Sequence, residues 1–304
     1  MIALARTPHP DLVAQIMERL EEAGAEIVRH GRVRVTPTAS GGAQETEVSG
    51  YNAATAQFTG LELDVARSLV RPDPLGSPWA DVDVSIIATP IFDPERRKLL
   101  VLDMDSTFIQ QEVIDLLAEQ AGVAASVSEI TERAMQGEID FASSLRERVA
   151  ALEGLPEAAL GEVAAALSTS IGARVLVETF HHAESTVGIV SGGFRQVIEP
   201  LMQRLRIDHH LANELEVLDG RLTGRVVGPI VDASVKASML RTWAESDGVS
   251  SDQVIAVGDG ANDAAMLDAA AVGIAFNAKP ALRRSADAQI NIPNLDAVRF
   301  FADL

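Results

Sequence analysis

Leu99-Leu100-Val101-Leu102-Asp103-Met104-Asp105-Ser106-Thr107 decides how this chain is read. A short apolar run reads as a buried strand, and it ends in two carboxylates two residues apart. Packing does not account for them, because burying both costs free energy unless a cation or a proton offsets it. In an α/β protein the carboxyl ends of strands are where ligands bind. There one carboxylate serves as nucleophile or metal ligand and the other as acid and base. That pairing is phosphoryl chemistry through an aspartyl-phosphate.

Working outward, residues 187–190, 254–257 and 272–276 are further short aliphatic runs separated by helical patterns, which predicts a parallel sheet. About 80 residues without a strand pattern lie between the first two runs. Residues 110–120, 127–135, 141–152 and 158–167 read there as helices. They are too many for a simple crossover and predict a helical cap, about 110–173, inserted over the strand ends. Residues 214–218 and 222–227 flank Asp219-Gly220, a hairpin signal. On the other side, strands are expected over 1–5, 26–36, 45–51 and 82–88, with helices over 10–22 and 61–70. This β-α-β-β-α-β order predicts a small α+β, ferredoxin-like module. Residues 71–78 read as a loop and 90–98 as a linker. The expected division is 1–95 and 96–304.

Composition narrows the function. A length of 304 residues suits about two domains. The 47% apolar fraction, with only 4% aromatic, predicts a mostly aliphatic core. A net charge of −19 argues against a nucleic-acid surface and suits binding of cations or small molecules. With no cysteine, thiolate catalysis and Cys-type zinc sites are excluded. No run approaches the roughly 18 apolar residues of a membrane span. The first ten residues lack a signal-peptide pattern, so a cytoplasmic protein is expected.

Four pieces carry the chemistry. The first is Asp103 with Asp105. The second is Ser191-Gly192-Gly193, where a hydroxyl and close backbone N–H groups suit a phosphate. The third is Lys236, near a helix start after Asp232, which can pair with a phosphate and with the nucleophile. The fourth is Gly258-Asp259-Gly260-Ala261-Asn262-Asp263, whose two carboxylates suit a hard cation such as magnesium. Each alone has a bland reading: a turn cluster, a βα turn, a surface lysine, or a fragment of a dinucleotide fingerprint. Asp263 stands where that fingerprint needs its third glycine, which rejects the last. Their joint occurrence in order is far more specific than any one.

These motifs resemble the haloacid dehalogenase superfamily of aspartate-dependent phosphatases, and at greater length its phosphoserine phosphatase branch. DMDSTFIQQE (103–112), AMQGEIDFASSLRERV (134–149), SGGF (191–194) and GDGAND (258–263) carry the likeness. It covers residues 98–304 and is weak before them. It implies that Asp103 attacks phosphorus and that Asp105 protonates the leaving oxygen, then activates water. It implies Mg²⁺ held by Asp103, the Asp105 backbone carbonyl and Asp259, with Asp263 in support. Ser191, the Gly192 N–H and Lys236 would bind the phosphoryl oxygens, and Asn262 would position the substrate or its loop.

The same resemblance implies O-phospho-L-serine as substrate, with serine and phosphate as products and serine biosynthesis as the setting. Glu112 would meet the ammonium and Arg148 the carboxylate. Arg148 has an independent argument, because it shares a helix face with Phe141 and Leu145, and a guanidinium there wants a carboxylate. An internal bridge to Glu147 or Glu153 is the alternative. Glu112 is also explained by the helix dipole alone. Met135 and Phe141 either shield the site or pack the cap. A phosphotransferase, or an amino-acid-binding regulatory protein with a vestigial phosphatase, are the rival functions. The first module is similar to ACT-like domains by element order, with sensing, dimer formation or a purely structural role open. A homodimer is expected. The adjacent pairs His181-His182 and His209-His210 read as surface or packing residues.

Overall fold

The computed structural model describes residues 1–7, 9–35, 50–70 and 82–304. The chain opens with β1 (Ile2–Ala5), α1 (Pro10–Glu22), β2 (Glu26–Val35), β3 (Tyr51–Thr59), α2 (Leu63–Val70) and β4 (Val82–Ser85). This is the expected β-α-β-β-α-β order. The strands form an antiparallel sheet in the order β2-β3-β1-β4. A strand not expected beyond Tyr51 continues to Thr59. Residues 45–49 and the loop expected over 71–78 lie outside the described residues.

Alternation along β1 divides its side chains between two cores. Ala3 and Ala5 pack with Val13, Ile16 and Leu20 of α1 and Ala66 and Val70 of α2. Ile2 and Leu4, with Tyr51 and Ala53 of β3, join the core of the rest of the chain, including Phe301. The inner strand β1 is therefore buried on both faces, while β2 at the edge stays mostly exposed. Arg67 pairs with Asp287 at 2.9 Å, and the Asn291 backbone N–H and side-chain amide donate to Asp83 at 2.6 Å across the same boundary.

The second part begins with β5 (Leu99–Leu102), followed by α3 (Val113–Ala121), α4 (Ala124–Met135), α5 (Phe141–Ala150), α6 (Ala158–Ala166) and α7 (Ala173–His182). Then come β6 (Thr186–Phe194), α8 (Arg195–Leu205), β7 (His209–Leu218), β8 (Arg221–Val227) and α9 (Ala233–Asp247). The chain finishes with β9 (Val254–Gly258), α10 (Ala264–Asp268), β10 (Val272–Phe276), α11 (Pro280–Ser285), β11 (Ala288–Ile290) and a 3-10 turn at Leu295–Phe301. The sheet order is β11-β10-β9-β5-β6-β7-β8, parallel except for the β7–β8 hairpin. This is the expected Rossmann-like sheet, and α3–α6 form the expected insertion between β5 and β6.

Chain order decides where a ligand can sit. From β5 the strands step outward through β6 to β8, and then from β9 outward to β11 on the other side. The crevice of such a sheet opens at that reversal, beyond the carboxyl end of β5. All four residues of β5 are fully buried, so the aliphatic run is the centre of the sheet. The histidine pairs take packing and surface roles: His209 stacks on Trp243 with centroids 5.3 Å apart, and His181 bonds Asp208 at 3.0 Å.

Candidate active site

Asp103 follows β5 directly, and its backbone N–H continues the ladder by donating to Val257 C=O at 2.9 Å. The chain then winds through one wide turn, closed by Ile109 N–H donating to Met104 C=O at 2.9 Å. Within it Ser106 has φ +56°, a conformation uncommon for a residue with a side chain. Two bonds hold it there: its N–H donates to Gln111 C=O at 3.2 Å and its hydroxyl to Glu112 Oε1 at 2.7 Å. The turn brings Asp103 and Asp105 to the same crevice, and Glu112 caps α3 beside them.

The other three motifs converge on it. Lys236 lies in the first turns of α9, which Asp232 caps through Ser234 N–H at 2.9 Å and Val235 N–H at 3.0 Å. Its ammonium, 1% exposed, donates to Asp103 Oδ1 at 2.6 Å and to Asp263 Oδ1 at 2.7 Å. Asp263 Oδ2 accepts from Gly260 N–H at 3.1 Å, which fixes the tight turn after β9. Gly258 makes that turn fit, since a Cβ there would stand 2.5 Å from the Asp263 carboxyl carbon. Asn262 lies against Gly260 on the half-buried rim. Thr107 donates to Asp259 Oδ1 at 3.4 Å, tying the first motif to the fourth.

Ser191 is fully buried and its oxygen accepts from Gly193 N–H at 2.8 Å. A Cβ on Gly193 would stand 3.2 Å from Asp105 Oδ2, so this glycine leaves the room that carboxyl occupies. A Cβ on Gly192 would stand 3.1 Å from the Phe141 ring, which places the cap's Phe141 directly over the loop. Sequence reasoning missed Asn213. It is 1% exposed, donates to Gly192 C=O at 2.9 Å and accepts from Val231 N–H at 2.8 Å, so it joins the Ser191 loop to the approach of α9. A polar residue at a buried strand position was the available signal.

In the cap, Arg148 is half-buried on α5, and its Nε donates to Ser144 C=O at 3.4 Å. Neither internal bridge forms: Glu147 is taken by Arg133 at 2.9 Å, and among the described residues Arg148 makes no ion pair. The acidic groups that reach its guanidinium are Asp115, Glu112 and Asp105, on the crevice side. Met135 ends α4 at 70% exposure, which sets aside packing of the cap, one of its two expected roles.

The electrostatics express an excess of negative charge. Burial and the neighbouring Asp263 push Asp103 up to about 7, against the pull of Lys236. Burial and Asp263 likewise push Asp259 up to about 6. Burial alone would lower Lys236, but Asp103 and Asp263 hold it above its ordinary value. Asp105 is raised well above the usual carboxylate range by burial, Glu112 and Asp103, and its Oδ1 is buried without a hydrogen-bond partner. Asp103, Asp259 and Asp263 bring one oxygen each within 4.8 Å of one another. One ammonium against three buried carboxylates, all hard oxygen donors, fits a divalent cation.

A family model described as haloacid dehalogenase-like hydrolase matches residues 100–268. A phosphoserine phosphatase of Mycobacterium tuberculosis is 54% identical over 204 residues, 67% of this chain and 50% of that protein, so the chain spans half that relative's length. A phosphoserine phosphatase of Streptomyces coelicolor is 42% identical over 295 residues, covering 96% of this chain and 68% of that one. A solved structure of a phospho-aspartyl intermediate analogue of phosphoserine phosphatase matches with TM-score 0.64 and 36% identity, over 68% of this chain and 99% of its own. The matched span runs from β5, through the cap, to the end of α10, taking in all four converging motifs, and the chain belongs to the haloacid dehalogenase-like hydrolase family.

Proposed function

We propose that this chain hydrolyses O-phospho-L-serine to L-serine and phosphate through an aspartyl-phosphate on Asp103. Similarity to phosphoserine phosphatases supports the substrate. The observation that carries it is Arg148: a half-buried guanidinium in the cap, without an ion-pair partner among the described residues, in the field of Asp115, Glu112 and Asp105. A partly desolvated guanidinium without an ion-pair partner carries a cost, and the carboxylate of an amino-acid substrate would satisfy it. Glu112 would take the ammonium of the same substrate.

Lys236 donates to Asp103 Oδ1 and pulls against the burial that raises this carboxyl, favouring its charged form and leaving the second oxygen for attack on phosphorus. As that bond forms, the bond from phosphorus to the serine oxygen breaks. Asp105 gives its proton to this oxygen, a role suited to a carboxyl that burial keeps neutral. In the second step Asp105 takes a proton from water as the water oxygen attacks phosphorus, which releases phosphate and restores Asp103. Ser191, the Gly192 N–H, Lys236 and Asn262 would hold the phosphoryl oxygens and the substrate in place. Phe141, against Gly192, would exclude water, and Met135, at the rim of the cap, would contact substrate on closure. Mg²⁺, held by Asp103, the Asp105 carbonyl, Asp259 and Asp263, would supply charge neutralisation between phosphate and nucleophile.

We assign residues 1–95 to the ACT-like module and 96–304 to the phosphatase, with the cap at about 110–173. A second copy of the chain is the partner we infer, supported by β2, the ten-residue outer strand of its sheet with mostly exposed side chains. No described helix is long and apolar enough to cross a membrane, and a cytoplasmic setting is part of the same reading.

The test is phosphate release from O-phospho-L-serine, with and without Mg²⁺, beside phosphothreonine, phosphohomoserine and p-nitrophenyl phosphate. A Mg²⁺-dependent preference for phosphoserine supports the whole reading. Turnover of the others alone keeps the chemistry and removes the substrate.

A further inference from the structure

The cap joins the sheet through two crossings that run side by side, residues 109–112 outward and 167–172 on return. Gln110 N–H donates to Ser168 C=O at 3.0 Å, Ser168 N–H to Gln111 Oε1 at 3.0 Å, and Ile109 and Thr169 form an antiparallel bridge. Ser170 N–H donates to Phe108 C=O at 2.9 Å, and its hydroxyl to Thr107 C=O at 2.6 Å. Thr107 and Phe108 belong to the turn that carries Asp105. The returning crossing thus touches both the cap's base and the reactive turn.

Its other side is held from a distance in sequence. Leu295 N–H donates to Ile171 C=O at 2.8 Å. Gly172, at φ +81°, packs so closely that a Cβ there would stand 2.8 Å from Asp296 N and 2.9 Å from its Cβ. Asp296 is 5% exposed, and its Oδ2 accepts from the hydroxyl of Tyr51 at 2.9 Å. Its Oδ1 is buried with no hydrogen-bond partner among the described residues. Burial raises both groups above their ordinary values, so the Tyr51 hydroxyl keeps the proton it donates. The Arg299 charge nearby offsets part of the cost of burying this carboxylate, but with a hydrogen bond on one oxygen only it remains expensive, and an apolar residue would serve packing better. The Tyr51–Asp296 bond links the N-terminal sheet to the base of the cap across 245 residues of sequence.

We propose that Tyr51 and Asp296 are positioning residues: they clamp the 168–172 crossing, so that the N-terminal module sets the seat of the cap over Asp103. The kinetic consequence rests on the phosphatase reading; the clamp does not. A displaced cap moves Arg148 and Glu112 relative to the phosphate pocket. Substrates gripped at both ends feel this, and substrates held by phosphate alone do not.

The experiment compares wild type with Tyr51→Phe, which removes the hydroxyl and keeps the ring's edge-on contact with Phe300, centroids 6.2 Å apart. Asp296→Asn, which keeps size and weakens the acceptor, is the second variant and moves the same readouts in the same direction. Amide hydrogen exchange needs no substrate. The Ser170 and Leu295 amides exchange about tenfold faster in Tyr51→Phe, the scale of a lost hydrogen bond to a charged group, while the amides of β9 are unchanged. KM for O-phospho-L-serine rises about three- to tenfold, and kcat/KM for p-nitrophenyl phosphate stays within about twofold. Unchanged exchange at Ser170 and Leu295, uniform acceleration across the sheet, or equal losses on both substrates overturns the proposal. If the wild type hydrolyses neither ester, the phosphatase reading fails and the exchange data alone decide the clamp.

Discussion

Lys236 and Asp103 face each other at 2.6 Å with both side chains closed off from solvent. The pair sits 133 residues apart in sequence and joins α9 to the end of β5. Truncating the cation strands two buried carboxylates. Lys236→Met therefore lowers stability by about 3–5 kcal/mol in metal-free buffer, measured by urea denaturation. Its turnover falls by at least about a hundredfold, because a donor to the transferring group is lost as well. A variant as stable and active as wild type would refute the pairing.

Metal-free stability falls with rising pH. Asp103, Asp105 and Asp259 all have folded values above their ordinary carboxylate value, so the folded state holds protons that the unfolded chain has released. That contribution is present at low pH and is lost between about pH 4 and pH 7 as Asp103 and Asp259 ionise, with Asp105, raised well above the usual carboxylate range, adding in the same direction. Saturating Mg²⁺ at about a hundred times its dissociation constant restores about 2.7 kcal/mol, and Asp259→Asn reduces the gain. Melting curves with chelator and with Mg²⁺ across pH check both signs; parallel curves would count against a cation here.

Asp103→Asn keeps the volume and removes the nucleophile. Turnover drops by about 10⁴-fold or more, while the melting temperature holds, since one of the crowded negative charges has gone. Rates near wild type would exclude the covalent route.

Asp105 must carry its proton to serve the leaving oxygen. Its raised value extends the range in which it does so, and kcat/KM for an ester with a poor leaving group falls as pH rises through that value. With p-nitrophenyl phosphate, whose leaving group needs little protonation, Asp105→Asn costs less than with phosphoserine. Identical losses would remove Asp105 from the acid's role.

Arg148→Ala separates recognition from chemistry. Losing a partner for a buried substrate carboxylate costs about 2–5 kcal/mol, or about 30- to several-thousand-fold in kcat/KM for phosphoserine. The effect on p-nitrophenyl phosphate stays within about threefold. Steady-state kinetics on the two esters decides it.

The four converging motifs were legible because Asp103 with Asp105, Ser191-Gly192-Gly193 and the Gly258–Asp263 turn each follow a short aliphatic run and Lys236 stands near a helix start; each alone has an ordinary use and only their combination in order is specific. The central strands were legible through those runs: Leu99–Leu102 has no polar residue to confuse its period. The part of β3 after Tyr51 was not read because Tyr51–Thr59 is rich in alanine, which carries little strand preference, and its pairing with β1 and β2 supplies what local sequence lacks. β7 was read only from 214 because the two histidines and Asn213 obscure its start. α7 and the three-residue β11 were not read, one overshadowed by the cap helices and the other too short for a period. The contact of Tyr51 with Asp296 had no local signal, since each residue alone is unremarkable and only folding brings them together.

The paired crossings at 109–112 and 167–172 give the cap the geometry of an attachment with adjacent ends. Its helices can lengthen, shorten or be exchanged without shifting the register of β5 against β6 and β9, which fixes Asp103. On the proposed function, the scaffold that would break a phosphate ester and the insertion that would choose which ester are thus separately heritable, and selection can change the diet of such an enzyme while leaving its reaction untouched.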